Sequence, residues 1–158
     1  FDPGLEEAVV YTGRYRLADR PHGRDQSIGQ LLLAPTRTYL PFVKALLEDM
    51  APHVQGLIHC TGGGQGKVKH FLQDVQVVKD QLMPVPPVFQ LIREQTQTPW
   101  ETMYRVFNMG HRLEVYTAPD HVQAVIDHAA AFGIQAQVIG YTTKAEHPAV
   151  TLYTSWTY

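Results

Sequence analysis

The sequence has one cysteine, little net charge and no long hydrophobic run in its 158 residues. The single Cys60 excludes an internal disulfide and a cysteine-rich metal site. It is also typical of a protein kept in a reducing compartment, so we expect a cytoplasmic protein. Thirteen basic and fifteen acidic residues leave a formal net charge of -2, which excludes a general attraction to nucleic acid or to anionic lipid. No apolar run approaches the roughly 20 residues that cross a bilayer, so we expect no membrane partner.

The length and the 44% hydrophobic content are enough for one domain with a core. Glycine and proline lie in polar stretches at 2–4 and 20–25, so residues 1–30 are predicted to be a loop-rich lead-in or interdomain segment with room for one strand. Residues 31–158 are predicted to form the domain itself. The chain begins with Phe1 instead of Met, and we expect it to be part of a longer polypeptide.

Helices and strands are predicted to alternate along the domain. One helix from Tyr39 has apolar residues at helical spacing, and prolines open later helices near 86, 99 and 119. Thr98 and Glu101 have the spacing of a capping box, and Gly133 is placed to cap the last helix. Since the alternation is not regular, it favours an α+β fold with helices packed on a sheet over a doubly wound one. Strands are predicted at 54–60, 75–80, 112–117, 135–142 and 150–158.

The segment 112–117, RLEVYT, alternates apolar and charged residues. Such alternation is typical of a strand with one buried face. It predicts Leu113 and Val115 pointing inward and Arg112 and Glu114 pointing outward.

Three consecutive glycines follow the strand predicted at 54–60, in the stretch HCTGGGQGKVKH. Glycine accepts positive φ and has no Cβ, so successive backbone N–H groups in such a turn can converge on an anion. One hypothesis is therefore a phosphate cradle, and the other is a tight strand-to-helix connection. The spacing fits neither a P-loop nor a dinucleotide-binding motif. The cradle would consist of Thr61, Gly62, Gly63 and Gly64, with charge at its rim from Lys67, Lys69 or His70.

Three further residues near these glycines carry possible chemistry. His59 could bind substrate or act as an acid or base, or be a hydrogen-bonded structural histidine. Cys60 has no paired base in the sequence and is interpreted as a packing residue. Asn108 either reaches into a cleft or caps a helix. The histidines form no recognised zinc pattern, so no metal site is predicted.

Four segments, taken together and in order, carry a family resemblance. They read LLAPTRTYL at 32–40, GLIHCTGGG at 56–64, PVPPVF at 84–89 and TMYRVFNMG at 102–110. In this order and spacing they resemble phosphoribosylformylglycinamidine cyclo-ligase, also called aminoimidazole ribonucleotide synthetase. The resemblance covers the chain from about residue 32 to residue 113 and is looser at both ends.

The resemblance implies the carboxyl-terminal, substrate-binding half of a homodimeric enzyme of purine biosynthesis, with a mixed, mainly antiparallel sheet. Such an enzyme closes the imidazole ring of formylglycinamidine ribonucleotide, using ATP with magnesium and possibly potassium. It also implies that ATP binds mainly to the amino-terminal half, whose Asp-Gly-Val-Gly-Thr-Lys type motif does not occur here, and that this half alone is inactive. The matching motifs imply substrate contacts for Thr61, Gly62, Gly63, Gly64, Thr36, His59 and Asn108.

One departure concerns the residues after the glycines. Many family members continue with a Glu-Asn-x-Pro-Arg-like segment, whereas this chain reads Gln65-Gly66-Lys67-Val68-Lys69.

Two alternative functions stay open. One is a related ATP-dependent enzyme of the selenophosphate synthetase or thiamin-phosphate kinase type, and the other is a non-catalytic domain that binds phosphate esters.

Overall fold

A computed structural model describes residues 3–6, 13–21 and 25–154. The described chain is α+β, as predicted, with helices packed on mixed and mainly antiparallel strand pairs. Its α-helices are α1 (Ile28–Leu32), α2 (Leu40–Met50), α3 (Pro87–Thr96), α4 (Trp100–Val106) and α5 (Val122–Ala131). Its strands are β1 (Val54–His59), β2 (Val75–Lys79), β3 (Leu113–Thr117), β4 (Gly140–Lys144) and β5 (Ala149–Leu152). Short 3-10 helices lie at Ala51–His53, Gly64–Phe71 and Pro119–His121.

Helix α2 forms where the spacing of apolar residues predicts it. Pro41 lies in its first turn, where a missing backbone N–H costs nothing. The fully buried side chains are Phe42, Leu46 and Met50, four residues apart, while Leu47 remains 39% exposed. These three side chains pack against α5 and against the β1–β3 pair. Burying such side chains stabilises the fold by about 1.5–3 kcal/mol each.

The capping box predicted before α4 is wrong. Pro99 is the N-cap residue, so no side-chain hydrogen bond caps this helix, and the helix begins at Trp100. The Thr98 hydroxyl instead lies 2.6 Å from the Thr96 hydroxyl at the end of α3. Because α3 ends only two residues before Thr98, this neighbouring hydroxyl is closer than the first turn of α4.

The strands form two separate sheets. Strands β1 and β3 pair antiparallel, with an irregularity in register between Val54 and Gly56. In the other sheet β2 is central, antiparallel to β4 and parallel to β5. The strand predicted at 135–142 begins later, at Gly140, because pairing with β2 starts there opposite Lys79. Of the strand predicted at 150–158, residues 155–158 lie outside the described residues.

Strand β3 is covered on both faces, which makes the predicted outward position of Glu114 wrong. Leu113 and Val115 pack against the α2–α5 core, as predicted. On the other face, Glu114 is 5% exposed and accepts a hydrogen bond from the Lys79 ammonium of β2 at 2.5 Å. This buried ion pair joins the two sheets.

The predicted cap of the last helix and the predicted lead-in segment 1–30 have different outcomes. Gly133 has a φ of 63° and its N–H donates to Ala130, so the predicted cap of the last helix is confirmed. The boundary between residues 30 and 31 falls within α1. In the segment 8–17, where the one strand of the lead-in was expected, residues 8–12 lie outside the described residues and residues 13–17 form no strand. The division into lead-in and domain stays a prediction.

Candidate functional site

An open cleft lies where β1 ends and the glycine turn begins. Its volume is about 460 Å³. Phe89, Val106 and Phe107 form its apolar wall. The polar residues on its surface are Thr36, His59, Thr61, Gly62, Asn108 and Arg112.

Each of the four segments that carry the family resemblance contributes to this cleft. The lining includes residues 34–36 from the first, 59–62 from the second, 89 from the third and 106–108 from the fourth. These segments are separated by up to 70 residues along the chain. The tertiary structure therefore brings together the parts of the sequence that are most similar to one family.

The residues predicted to bind substrate divide into two groups. Thr36, His59, Thr61, Gly62 and Asn108 line the cleft. Gly63 and Gly64 follow directly in the turn but do not line it.

The two predicted rim lysines also lie outside the cleft lining. The Lys67 ammonium donates to the Thr61 hydroxyl at 2.7 Å, which places its charge beside the cleft. Lys69 is exposed and has no recorded contact with a cleft residue.

The local structure requires glycine at two of the three consecutive glycine positions. Gly63 and Gly64 have φ values of 87° and 52°, in the left-handed region that favours glycine. A Cβ on Gly64 would lie 2.3 Å from the carbonyl oxygen of Tyr104, so this residue packs directly on the backbone of α4. A Cβ on Gly62 would meet nothing within 4 Å. The tight connection is thus a property of Gly63 and Gly64, and only Gly62 has open space at the cleft.

Asn108 holds the fourth segment against the end of β1. Its Nδ2 donates to the carbonyl oxygen of Cys60 at 3.0 Å, and its Oδ1 accepts from the N–H of Gly110 at 3.0 Å. Its own carbonyl oxygen accepts from Gln65 Nε2 at 2.6 Å. Because both ends of the amide are engaged, Asn108 fixes the position of the cleft wall. These contacts of Asn108 differ from those expected of a residue that caps a helix.

His59 is exposed on the cleft surface, and its ring meets the Tyr39 ring edge-on at 6.3 Å between centroids. Its ring nitrogens have no hydrogen-bond partner among the described residues. The imidazole is therefore open to the cleft.

A buried polar network lies directly beneath the cleft. Glu114 Oε1 accepts from Lys79 Nζ and from the Cys60 thiol at 3.2 Å, while its Oε2 accepts from the Tyr116 hydroxyl at 2.6 Å. Lys79 Nζ also donates to the backbone and side-chain oxygens of Gln65 at 2.9 and 3.0 Å. Since Gln65 directly follows the three glycines, the network holds the end of the glycine turn.

Burial and the Glu114 charge set the protonation of this network. Burial, reinforced by Glu114, raises the pKa of the Cys60 thiol to about 12. The same two causes raise the pKa of the Tyr116 hydroxyl. Burial, with a smaller contribution from Lys79, lowers the pKa of His111 below its usual value of 6.5. At neutral pH the Cys60 thiol is protonated and poorly nucleophilic, in agreement with its interpretation as a packing residue.

His111 extends the network toward the loop before α3. Its Nε2 accepts from the backbone N–H of Met83 at 2.9 Å, and its Nδ1 lies 3.0 Å from Gln65 Nε2. The segment that contains PVPPVF is thereby tied to the segment that contains the glycines.

Sequence reasoning missed the ion pair and the place of Arg112 in the cleft. One signal was available for the ion pair: Lys79 and Glu114 each stand next to apolar residues in a predicted strand. Opposite charges in two buried strands need a partner, because an isolated buried charge is very costly. Arg112 was expected on an outer face, and it is indeed exposed, but no sequence signal placed it beside Thr61 and Gly62.

The described residues of this cleft do not fit magnesium-bound ATP. Within the described ranges, no three His, Cys, Asp or Glu side chains lie close enough to hold a metal ion. No carboxylate is among the described residues that line the cleft, although magnesium prefers oxygen ligands.

Among the described residues, every helix is too short or too polar to cross a membrane.

The fold and the cleft define an α+β domain whose candidate site is lined by four separate segments of the chain. A family model described as "AIR synthase related protein, C-terminal domain" matches residues 7–153. The chain belongs to this family.

Curated relatives agree with this assignment. The chain is 36% identical over 136 residues to a phosphoribosylformylglycinamidine cyclo-ligase of Methanopyrus kandleri, covering 85% of the chain and 38% of the relative. It is 38% identical over 153 residues to the protein of the same name from Methanothermobacter thermautotrophicus, covering 89% and 44%. The chain thus spans less than half the length of these curated relatives.

The fold is also similar to that of E. coli HypE, a hydrogenase maturation protein. The TM-score is 0.60 at 19% identity, covering 82% of this chain and 42% of HypE. At this identity the similarity concerns the fold alone.

Proposed function

We propose that this chain is the carboxyl-terminal, substrate-binding part of an ATP-dependent cyclo-ligase that converts formylglycinamidine ribonucleotide to aminoimidazole ribonucleotide. The observation that carries the proposal is the meeting of four family-like segments at one cleft. The names of the relatives supply the reaction, since both are phosphoribosylformylglycinamidine cyclo-ligases. Neither a related ATP-dependent enzyme nor a non-catalytic domain is favoured by any of these relatives.

The residues proposed to bind substrate are those predicted from the motifs. Thr61 and Gly62 offer a hydroxyl and open backbone on the cleft surface, and Thr36 faces them from another segment. His59 presents an imidazole to the same space and is a weak candidate for acid or base chemistry. Asn108, Gly63 and Gly64 position the cleft, while Lys67 and Lys69 add positive charge near its rim.

In the proposed reaction, transfer of the terminal phosphoryl group of ATP to the amide oxygen of the substrate releases ADP and activates the amide carbon. A neighbouring nitrogen attacks that carbon and loses a proton, and the carbon–oxygen bond breaks as inorganic phosphate leaves. The part played by this chain is to hold the ribonucleotide so that nitrogen and carbon stay close. No nucleophilic side chain is required, which agrees with the protonated state of Cys60.

The partners proposed for this chain follow from its share of the relatives' length. ATP with magnesium, and possibly potassium, is proposed to bind mainly to the amino-terminal half, because the cleft described here lacks carboxylate ligands. The whole enzyme is proposed to be a cytoplasmic homodimer that binds neither nucleic acid nor membrane. Residues 31–158 are proposed as the domain, preceded by the interdomain segment 1–30.

The test is ATP-dependent formation of aminoimidazole ribonucleotide by the enzyme that contains this chain. We expect turnover by the wild type, and a Gly62→Asp variant with a KM for the ribonucleotide raised about tenfold or more, because a carboxylate would repel the phosphate. The control is Gly66→Asp, since a Cβ there also meets nothing within 4 Å and Gly66 is not a cleft residue. Absence of turnover by folded wild type would refute the proposed function, and equal KM values in both variants would refute the site.

A further inference from the structure

The cleft has an uncompensated positive charge. Of the described residues that line it, Arg112 is the one with a permanent charge, and none of them is a carboxylate. The Arg112 side chain is exposed, and no ion pair is recorded for it within the described ranges. The cleft is therefore suited to an anionic group.

The acidic residue nearest along the chain is not free to neutralise Arg112. Arg112 directly precedes β3, and Glu114 lies two residues further along, inside that strand. The two carboxylate oxygens of Glu114 already accept from Lys79, Cys60 and Tyr116, and the side chain is buried. The Arg112 guanidinium is exposed and is therefore available to an anionic group from solution.

The backbone fixes Arg112 beside the residues that can assist it. Its carbonyl oxygen accepts from the N–H of Cys60 at 2.8 Å, so the base of the side chain is anchored at the end of β1. Thr61 and Gly62 follow Cys60 directly, and the Lys67 ammonium donates to the Thr61 hydroxyl at 2.7 Å. A guanidinium presents two parallel N–H donors, which match two oxygens of a phosphate.

We propose that the Arg112 guanidinium binds the phosphate monoester of the ribonucleotide substrate and determines the preference for nucleotide over nucleoside. This inference rests on the proposed function for the identity of the substrate. The anion site itself rests on the charge and position of Arg112, and it holds for any ribose phosphate that enters the cleft.

The experiment compares binding of ribose 5-phosphate and ribose to the enzyme that contains this chain, by titration calorimetry. The variants are Arg112→Gln and Arg112→Lys, and the control is Arg16→Gln, an exposed arginine that does not line the cleft. We expect Arg112→Gln to weaken ribose 5-phosphate binding by about 10- to 100-fold, with Arg112→Lys intermediate and Arg16→Gln unchanged. Ribose is expected to bind far more weakly and to be insensitive to the variants.

Kinetics supply a second readout. With formylglycinamidine ribonucleotide, Arg112→Gln should raise KM much more than it changes kcat, while the corresponding ribonucleoside should be equally poor for both proteins. Ribose 5-phosphate binding that is absent from the wild type, or unaffected by Arg112→Gln, overturns this inference even if the enzyme turns over. Binding that depends on Arg112 in an enzyme without turnover sustains the anion site and refutes the proposed function instead.

Discussion

Glu114 is buried although the alternating sequence pattern around it predicts an exposed side chain. In the alternating stretch 112–117 its charge indicates a solvent-facing position, yet it accepts three side-chain hydrogen bonds in the interior. Removing a carboxylate from water is costly, and only a nearby cation with further donors compensates that cost. Lys79, Cys60 and Tyr116 provide these donors, so hydrogen bonds in the interior stabilise the Glu114 carboxylate in place of water.

At Gly64 we expect replacement by alanine to destabilise the fold. The new Cβ would lie 2.3 Å from the Tyr104 carbonyl oxygen, at a φ of 52°. Steric overlap with rigid backbone and the left-handed φ together predict a loss of about 2–4 kcal/mol in the free energy of unfolding. The measurement is urea unfolding, with Gly62→Ala as the control, for which we expect a change within about 0.5 kcal/mol. Similar losses in both variants would contradict this explanation of the glycines.

Cys60 predicts a particular loss of stability at alkaline pH. Its pKa is raised from 9.0 to about 12, so above pH 9 the unfolded chain releases the thiol proton while the folded chain keeps it. The unfolded state then binds fewer protons, and the free energy of unfolding falls by about 1.4 kcal/mol per pH unit from this group.

The measurement is urea unfolding at pH 8 and at pH 10, for the wild type and for Cys60→Ala. We expect the wild type to lose about 1.4 kcal/mol more than the variant between these pH values. Tyr116 contributes in the same direction in both proteins, so the difference isolates the thiol. Equal losses would show that the pKa of Cys60 is not raised.

At the scale of elements, β2 and β3 belong to different sheets and meet through one ion pair. Lys79 ends β2, and Glu114 lies inside β3. Lys79 also holds Gln65, at the start of the 3-10 helix that follows the glycines. The packing of the two sheets and the shape of the glycine turn therefore depend on the same ammonium group.

We expect Lys79→Met to cost about 3–5 kcal/mol in the free energy of unfolding, because it leaves the buried Glu114 carboxylate without its cation. The double variant Lys79→Met with Glu114→Leu should recover a large part of this loss, since it removes both charges. The matched control is the exposed pair of Lys44 and Glu48 at 3.6 Å, where Lys44→Met should change stability by less than about 0.5 kcal/mol. A double-mutant cycle by urea unfolding measures the coupling, and additive losses would contradict the pairing.

At the scale of the whole molecule, the chain presents an open cleft bordered by exposed apolar side chains. Leu33 is 81% exposed next to the cleft-lining Ala34, and Val106 is 49% exposed on the cleft itself. The relatives are more than twice as long as the matched part of this chain. On the proposed function, we propose that the amino-terminal half of the enzyme covers this border and completes the site.

This inference predicts that the chain alone does not form aminoimidazole ribonucleotide and that mixing it with the remaining part of the enzyme produces turnover. Leu33→Asp and Val106→Asp should lower the turnover of the mixture at least about tenfold, because a charge would be buried at the contact. The control is Phe71→Asp, since Phe71 is 66% exposed and is not a cleft residue. Turnover by the chain alone, or equal effects of all three variants, would refute this arrangement.

Much of the fold could be predicted because its signals are local. The spacing of Leu46 and Met50, Pro41 in a first turn and Gly133 after the last helix all act within a few residues. The failures arise from contacts that the local pattern does not include. Thr98 and Glu101 have capping-box spacing, but α4 begins one residue later than that spacing requires, and the Thr98 hydroxyl lies beside the Thr96 hydroxyl. The strand expected at 135–142 began only where β2 provided a partner.

The sequence by itself determined the class of fold and the four segments whose order identifies the family. Only the tertiary structure decided that these segments meet at one cleft, that Gly64 packs on the backbone of α4, and that Glu114 is buried against Lys79. It also decided that Arg112 lines the cleft without an acidic partner in the described ranges. The physical reason is that these contacts join residues that are distant along the chain, 35 positions for Lys79 and Glu114, and no local pattern specifies which distant groups will meet.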